Sequence, residues 1–331
     1  MAACAPGTEH IVAGEIKEAY KRVNNASITR GKVVFDCPEA EMDHNGLKCA
    51  DNLYKLYKTF AVGSHKADLA DIGERVREIN YKLQDTSYKN VKPRILVSAS
   101  RRGRHAYSRF DAAAQVTNSL VATGRYIAGD SLNHDIAIRL DIDGDSCGVY
   151  RQLTSPRMRF RGDAIRSVPG GIRPPLAHCL VRLSEPHGDD IFYDPFCGAG
   201  TIPFERSAYK SKKIFASDTD PDIITIARQN TGNSAIVFQA DAANTTMKPH
   251  SVSKIVTNMP WGKQVAVKNI SALYRGFLFE LKRILSPNGK AVVLTDQVST
   301  IEALCEKMEL NCSRAAELSL HGSHPVIFII R

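Results

Sequence analysis

The chain has 331 residues, of which 43% are hydrophobic and 24% are charged. This composition is ordinary for a globular protein, and the length suggests about two domains of roughly 150 residues each. No apolar stretch approaches the ~18 residues that a membrane span requires, and no signal peptide is recognisable. The eight cysteines show no Cys-x-x-Cys pair and no metal-ligand spacing. We therefore expect a cytoplasmic protein with reduced cysteines and no metal site.

The formal net charge is +9 and the pI is near 9.1, which favours a polyanionic partner, most simply nucleic acid. Two stretches in the first half concentrate the positive charge. The first stretch has one acidic residue, Asp85, and eight basic residues: Lys82, Lys89, Lys92, Arg94, Arg101, Arg102, Arg104 and Arg109. The second has one acidic residue, Asp163, and six basic residues: Arg151, Arg157, Arg159, Arg161, Arg166 and Arg173. This distribution is typical of a nucleic-acid footprint.

The first half of the chain predicts small α+β units. The expected elements are an amphipathic segment over 9–21, a strand over 32–35, helices over 52–60 and 68–83, a strand over 93–99, a helix over 111–123, and strands over 136–142 and 147–153. The segment 154–175 is rich in Arg, Pro and Gly, and it is predicted to be a linker.

From residue 191 onward, strands and helices alternate, which predicts a parallel sheet with crossover helices. The expected strands cover 191–196, 213–218, 235–240, 253–258 and 290–295, and the expected helices cover 201–209, a segment from 221, 270–285 and 299–309. Two closely spaced strands over 315–320 and 325–330 predict a terminal hairpin. Nicotinamide-binding sheets usually end differently.

The segment from Asp194 to Thr201 follows a predicted strand and precedes a predicted helix, where a main chain commonly receives an electronegative ligand. Gly198 and Gly200 allow that ligand to approach closely. A dinucleotide fingerprint needs a third glycine at position 203, which is proline, and no Lys-Ser/Thr pair follows Gly200. A nucleoside cofactor without phosphates therefore fits better than NAD or a nucleoside triphosphate. Cys197 is interpreted as a small loop residue.

Carboxylates follow the next two predicted strands. Asp218 is placed to bind ribose hydroxyls, and Asp241 is placed to accept a hydrogen bond from an adenine amino group. Asp220, just before Pro221, is better explained as a helix N-cap. In this interpretation Asp194 faces the cationic end of S-adenosylmethionine.

The fourth predicted strand ends in the tetrad Asn258-Met259-Pro260-Trp261. The ring of Trp261 is suited to stacking on a base, at roughly 1–3 kcal/mol. The Asn258 side-chain oxygen and a main-chain carbonyl near Met259 and Pro260 are suited to accepting the protons of an exocyclic amine. Because an amide is not a base near neutral pH, Asn258 is expected to orient the amine rather than deprotonate it.

These motifs resemble those of class I S-adenosylmethionine-dependent RNA methyltransferases that carry a THUMP domain, and most closely those that form N2-methylguanosine in tRNA, of the type acting on guanosine 6. The segment 194–201 is similar to the family's cofactor motif, and 258–261 to its Asn/Asp-x-Pro-aromatic catalytic motif. Segments 171–176 and 180–204 resemble its pre-sheet region and first strand, while 95–105, 109–114 and 149–154 resemble its THUMP domain. Met259 stands where many relatives have a second proline, and Trp261 stands where Tyr or Phe is commoner.

The resemblance implies a ferredoxin-like domain over 1–62, a THUMP RNA-binding domain over 63–153, a linker over 154–178 and a Rossmann-like methyltransferase domain with a seven-stranded sheet over 179–331. It implies the catalytic residues Asn258, Pro260 and Trp261. The implied cofactor-binding residues are Asp194, Phe196, Gly198, Gly200, Thr201, Asp218, Asp241, Ala242 and Asn258. The implied RNA-binding residues are Arg101, Arg102, Arg104, His105, Arg109, Arg159 and Arg161.

The expected activity is methyl transfer from S-adenosylmethionine to N2 of a guanosine in tRNA, with S-adenosylhomocysteine as product. The expected nucleotide is guanosine 6 of the acceptor stem. The alternatives are guanosine 10 of tRNA, a guanine N2 of ribosomal RNA, an adenine N6, or a catalytically silent RNA-binding protein. The protein is expected to act as a monomer or with a small activating subunit.

Overall fold

The computed structural model of the chain describes residues 1–38, 41–43, 46–79, 91–155, 157–162, 164–262, 269–320 and 322–331. The chain divides into two compact units. The first unit is Met1 with Asn52–Ser155, and the second is Ala2–Asp51 with Pro156–Arg331. The end of the helix predicted over 68–83, and Lys82 and Lys89 of the first basic stretch, lie outside the described residues. None of the helices in the described ranges is long and apolar enough to cross a membrane.

The first four elements of the chain belong to the second unit. They are β1 (Ala2–Ala3), α1 (Glu9–Ala19), β2 (Asn24–Thr29) and β3 (Lys32–Asp36). Strand β3 pairs antiparallel with both β1 and β2. Helix α1 buries Val12 and Ile16, four positions apart on one helix face, which explains the amphipathic pattern of this segment.

The first unit is a mixed α/β structure. Its elements are β4 (Asn52–Ala61), α2 (Leu69–Arg77), β5 (Arg94–Arg102), α3 (Arg109–Val121), β6 (Ile127–Ala128), β7 (Ile136–Asp143) and β8 (Ser146–Gln152). The strands are ordered β4-β8-β7-β5-β6, with β5 parallel to β6 and β7 and the other pairs antiparallel. Ile72 and Val76 of α2 and Val116 and Leu120 of α3 share one core with these strands. Helix α3 begins with a reciprocal capping box between Ser108 and Asp111.

The helix predicted over 52–60 is wrong, because this segment is strand β4. The pairing of β4 with β8 shifts register between Leu56 and Lys58, which is the signature of a β-bulge. A bulge interrupts the alternation of apolar and polar residues, so the spacing of Leu53, Tyr54 and Tyr57 imitates a helical stripe.

The second unit continues with the predicted alternating elements. They are α4 (Pro174–Leu183), β9 (Ile191–Asp194), α5 (Thr201–Arg206), β10 (Lys213–Asp218), α6 (Pro221–Thr231), β11 (Ile236–Gln239), β12 (Val252–Asn258), α7 (Ile270–Ile284), β13 (Leu285–Thr295), α8 (Val298–Lys307), β14 (Cys312–Glu317) and β15 (Val326–Ile330). The strands form one seven-stranded sheet in the order β11-β10-β9-β12-β13-β15-β14. Strands β9 to β13 are parallel, while β15 runs antiparallel to β13 and β14. The predicted Rossmann-like sheet with a terminal hairpin is confirmed.

The sheet is buried because helices cover both of its faces. Tyr274, Phe277 and Leu281 of α7 pack with β12, β13 and β15 on one face, while Ile224 and Ala227 of α6 pack near β10 and β11. Truncating one of these large side chains typically costs about 2–5 kcal/mol. The carboxyl ends of the adjacent parallel strands β11, β10, β9 and β12 consequently meet along one rigid edge.

The domain boundaries expected over 1–62, 63–153, 154–178 and 179–331 stay a prediction. Helix α4 occupies the last part of the expected linker and continues beyond it. Ala2–Asp51 belongs to the same compact unit as the seven-stranded sheet.

Candidate active site

A cavity of about 820 Å³ opens at the carboxyl edge of the sheet. Nine of the predicted cofactor-binding and catalytic residues line it: Phe196, Gly198, Thr201, Asp218, Asp241, Ala242, Asn258, Pro260 and Trp261. The lining also includes neighbours of these residues in the loop after β9 and in the tetrad. Contributors that the sequence did not indicate include segment 168–170 and the side chains of Leu273, Leu294, Leu320 and Ser323. These last side chains have no local motif, since only the fold brings their segments to this edge.

The loop after β9 is held by Asp218. The Cys197 amide donates to the Ser217 carbonyl at 2.9 Å, and the Gly198 amide donates to Asp218 Oδ2 at 3.0 Å. Gly198 has φ +50° with open space where a side chain would start. Gly200 has φ +79°, and a Cβ there would lie 3.3 Å from the Ala227 backbone. Gly198 therefore leaves room on the cavity side, whereas Gly200 permits close packing against α6.

Asp194 is completely buried and is not among the described residues that line the cavity. Its Oδ1 accepts from the Thr257 hydroxyl at 2.7 Å and from the Phe196 amide at 3.2 Å. Its Oδ2 has no hydrogen-bond partner among the described residues. Burial raises the pKa of Asp194 to about 7, although the bonds from Thr257 and Phe196 oppose the shift. Asp194 thus links the cofactor loop to β12. The sequence had indicated only a contact between Asp194 and the cofactor, and not this structural role.

The other two acidic positions, Asp241 and Asp220, both accept hydrogen bonds from nearby main-chain amides. Asp241 is exposed, and its Oδ1 accepts from the Ala243 amide at 2.9 Å. Asp220 caps α6, accepting from the Asp222 and Ile223 amides at 2.9 and 3.3 Å. The predicted N-cap is confirmed.

The tetrad follows β12 directly. Met259 is buried in the core that α7 forms with the sheet, so an apolar side chain serves at this position. Asn258 Oδ1 and Trp261 Nε1 are both buried, and neither has a hydrogen-bond partner in the described part of the chain. Because a buried polar atom without a partner costs about 1–3 kcal/mol, such atoms are typical of places that a ligand completes.

Three of the predicted RNA-binding residues lie together in the first unit. Arg101, Arg104 and His105 line a cavity of about 430 Å³ with His65. His105 Nε2 lies 2.8 Å from the Gly144 carbonyl, which can only accept, so this nitrogen donates and Nδ1 faces Arg101 Nη1 at 3.4 Å. The described lining does not include Arg102 or Arg109.

Those two arginines have other contacts. Arg102 donates two hydrogen bonds of 2.6 Å to Asp143, and the Arg109 guanidinium lies 4.7 Å from the Phe110 ring centre. In the second unit the Arg159 guanidinium lies 4.7 Å from the Phe160 ring centre. Arg102 and Arg109 are nevertheless exposed, and the RNA contacts of all three arginines stay predictions.

The predicted RNA contact of Arg161 is not supported. Its side chain is only 14% exposed, and it donates to both oxygens of Glu205 at 2.8 and 3.1 Å and to the Lys48 carbonyl at 2.7 Å. Burial opposes ionisation of Glu205, but bonds from His178 and Arg161 outweigh it and hold the pKa of Glu205 below its ordinary value. Arg161 is therefore part of an internal ion pair.

Glu205 continues into a closed buried network. His178 Nδ1 lies 2.8 Å from Glu205 Oε2, and His178 Nε2 lies 2.9 Å from the Tyr209 hydroxyl. The ligand atoms of Glu15, Cys49 and His178 lie within 4.8 Å of one another, a spacing that a metal ion could bridge. Both Glu15 oxygens, however, accept main-chain amides, from Lys48 and Cys49 at 2.9 Å. The hydrogen bonds already use the carboxylate and imidazole atoms that a metal would need.

Comparisons with known proteins identify similar methyltransferases. The family described as UPF0020, RMKL-like, methyltransferase domain matches residues 161–325. The bovine (Bos taurus) tRNA (guanine(6)-N(2))-methyltransferase THUMP3 is 28% identical over 285 residues, covering 78% of this chain and 56% of that protein. The Thermus thermophilus tRNA (guanine(6)-N2)-methyltransferase is 29% identical over 245 residues, covering 71% of each protein. The chain thus spans little more than half the length of its mammalian relatives.

Solved structures show the same fold. TrmN from Thermus thermophilus superposes with a TM-score of 0.81 at 23% identity and covers 100% of this chain and 98% of its own. SMU.472, a putative methyltransferase complexed with SAH, gives a TM-score of 0.76 at 15% identity and covers 99% and 96%.

Proposed function

Because residues 161–325 of the chain belong to the RMKL-like methyltransferase family, we propose that the protein transfers a methyl group from S-adenosylmethionine to N2 of a guanosine in tRNA. We place the target at guanosine 6, the nucleotide named for the bovine and Thermus thermophilus relatives described above. The observation that carries the proposal is the buried Asn258 Oδ1 at the end of strand β12, which has no hydrogen-bond partner among the described residues and lines the same cavity as Asp218 and Asp241.

The cavity fits the cofactor in size and chemistry. A volume of about 820 Å³ lies within the range of small-molecule sites. Asp218 retains carboxylate lone pairs beyond its bonds to the loop, and these suit ribose hydroxyls, while Asp241 suits the adenine amine. Phe196 and Ala242 supply apolar contacts. When bound, S-adenosylmethionine supplies an electrophilic methyl group on a sulfonium.

Asn258 supplies orientation. The guanine amine is a weak nucleophile because its lone pair is conjugated with the ring. By accepting a hydrogen bond from one amine N–H, Asn258 Oδ1 would turn that lone pair towards the methyl group. Formation of the new N–C bond is balanced by cleavage of the sulfonium S–CH3 bond, which leaves S-adenosylhomocysteine, and the surplus amine proton passes to solvent. Positioning of this kind contributes several kcal/mol to barrier lowering.

Trp261 holds the target base by stacking, and it lies beside Asn258 in the cavity lining. The base must leave its own stack to reach this position, as in other enzymes that act on bases. In the first unit, the cavity lined by Arg101, Arg104 and His105 supports binding of the tRNA backbone. A cytoplasmic location and a small activating subunit stay predictions.

The direct test is incubation of the protein with methyl-labelled S-adenosylmethionine and unmodified tRNA, followed by nuclease digestion and mass spectrometry. We expect N2-methylguanosine at position 6, and no product on a tRNA that lacks guanosine there. Methylation of guanosine 10 instead would correct the position. Methyladenosine, or no methylation with cofactor binding intact, would overturn the proposal.

A further inference from the structure

The main chain of the tetrad is held by three hydrogen bonds from elsewhere in the second unit. The Met259 amide donates to the Leu294 carbonyl of β13 at 3.0 Å. The Tyr274 hydroxyl of α7 donates to the Pro260 carbonyl at 2.9 Å, and Gln297 Nε2 donates to the Trp261 carbonyl at 3.3 Å. Three consecutive residues are thus fixed by partners that lie outside the catalytic motif.

The hydrogen bonds around Tyr274 permit only one proton order. The Pro260 carbonyl can only accept, so Tyr274 donates its single hydroxyl proton there. Tyr274 and Thr295 hydroxyls lie 2.6 Å apart, so Thr295 must be the donor between them. The main-chain N–H of Gln297, which can only donate, completes this series of hydrogen bonds by donating to Thr295 Oγ1 at 3.0 Å. The bonds therefore run in one direction from Gln297 to the tetrad, and each one polarises the next.

This chain is shielded from water. Tyr274 and Thr295 are fully buried, and burial raises the pKa of Tyr274 well above its ordinary value despite the bond from Thr295. Tyr274 consequently remains a neutral donor at every working pH. It is not among the described residues that line the cavity, although its neighbour Leu273 is.

We propose that Tyr274 is a positioning residue for methyl transfer, acting through the Pro260 carbonyl to place Asn258 and Trp261 against the target base. The inference rests on the proposed function. A displacement of about 1 Å between reacting groups lowers rates by roughly a hundredfold, so a bond that fixes the tetrad has a large effect on turnover. The same bond occupies one lone pair of the Pro260 carbonyl and leaves the other lone pair for a ligand. Asn258 Oδ1 is a buried acceptor that has no partner among the described residues.

The test compares Tyr274→Phe with Tyr193→Phe. Both tyrosines are fully buried in the second unit, and the hydroxyl of each lies 2.6 Å from another hydroxyl, that of Thr295 for Tyr274 and that of Ser217 for Tyr193. Tyr193 shares a hydrophobic core with Met259 but makes no hydrogen bond to the tetrad in the described part of the chain, so the pair separates positioning of the Pro260 carbonyl from general stability. We expect Tyr274→Phe to lower kcat about tenfold to a hundredfold with an unchanged KM for S-adenosylmethionine. Tyr193→Phe should keep kcat within about twofold at a similar loss of stability.

A second readout is independent of catalysis, because Trp261 is the single tryptophan of the chain. Its emission spectrum and anisotropy should change in Tyr274→Phe and remain as in the wild type in Tyr193→Phe. Wild-type kcat and emission in Tyr274→Phe, or equal losses of kcat in both variants, would overturn the inference. If the unaltered protein transfers no methyl group to tRNA, the proposed function fails, and the fluorescence comparison still decides whether Tyr274 places the tetrad.

Discussion

Two buried carboxyl groups of the second unit show opposite behaviour. Glu205 is 2% exposed and Asp194 is fully buried, yet the pKa of Glu205 is lowered and that of Asp194 is raised to about 7. The difference lies in their partners. Arg161 and His178 together satisfy both Glu205 oxygens, whereas Asp194 has two neutral donors on Oδ1 and none on Oδ2 among the described residues.

The contrast separates structural polar groups from functional ones. The network around Glu205 is closed, because Arg161 and His178 bond both of its carboxylate oxygens. The network links residues that are distant in sequence. Among the described residues, no hydrogen-bond partner reaches Asp194 Oδ2 behind the cofactor loop, or Asn258 Oδ1 and Trp261 Nε1 in the cavity lining, and this costs stability. Incomplete satisfaction of buried groups is typical of sites that a ligand finishes.

The largest expected effect comes from a substitution that breaks the closed network around Glu205. Arg161→Met removes the positive charge and keeps most of the side-chain volume, which leaves Glu205 buried with His178 alone. We expect a loss of about 3–5 kcal/mol in the free energy of unfolding, measured by urea denaturation. Arg314→Met is the matched control, because Arg314 pairs with Glu302 and Glu317 at the surface and its removal should change stability little. Equal effects of the two substitutions would show that the Glu205 network is not a structural element.

The second prediction concerns the incomplete region. Between pH 3.8 and about 7 the unfolded chain has released the Asp194 proton while the folded chain retains it. The contribution of Asp194 to the free energy of unfolding of the wild type therefore falls as the pH rises through this window, and it is constant above the window. Asp194→Asn does not titrate, so its stability relative to the wild type should increase by at most about 1.4 kcal/mol per pH unit within the window. Unfolding midpoints at pH 4.5 and 8 measure this; an identical difference at both values would contradict the raised pKa.

The same distinction applies to arginines. Arg161 is committed to Glu205, whereas Arg101 and Arg104 are exposed and line a cavity. Reversing both charges, as Arg101→Glu with Arg104→Glu, should weaken tRNA binding and lower the slope of log K against log salt by about one to two units. The control is Arg75→Glu with Arg77→Glu on α2, where each arginine already pairs with a neighbouring acid. Equal slopes in the two double variants would place Arg101 and Arg104 away from the RNA.

Much of the sheet was predictable from sequence. The parallel strands have short apolar centres, such as Ile214-Phe215-Ala216 in β10 and Ile255-Val256 in β12. Asp194, Asp218 and Asn258 end strands β9, β10 and β12, and Asp241 follows β11, because ligand-binding groups collect where parallel strands stop. Strand β4 was not predictable, since its bulge near Leu56 disguises the alternation. In that case pairing with β8 overrode the local pattern.

The supporting residues of the site had no sequence signal. Tyr274 and Gln297 reach the tetrad from 14 and 36 residues away, through bonds to main-chain carbonyls that any residue would offer. For Arg161 the sequence signal was misleading, because a basic stretch does not show which of its side chains is buried in the fold. The ion pair with Glu205 depends on the folded position of α5, which the stretch itself does not encode.

We propose that the buried side-chain oxygen of Asn258, which has no partner among the described residues, orients the target amine. Single-turnover methyl transfer to tRNA by the Asn258→Ala variant measures this role. With saturating S-adenosylmethionine, we expect the rate to fall roughly 10²–10³-fold, as when one preorganised polar group is removed from an active site. The free energy of unfolding should not fall, since Oδ1 has no hydrogen-bond partner to lose among the described residues and its removal relieves the cost of burying it. A variant that binds cofactor normally and transfers methyl at the wild-type rate would exclude this role for Asn258.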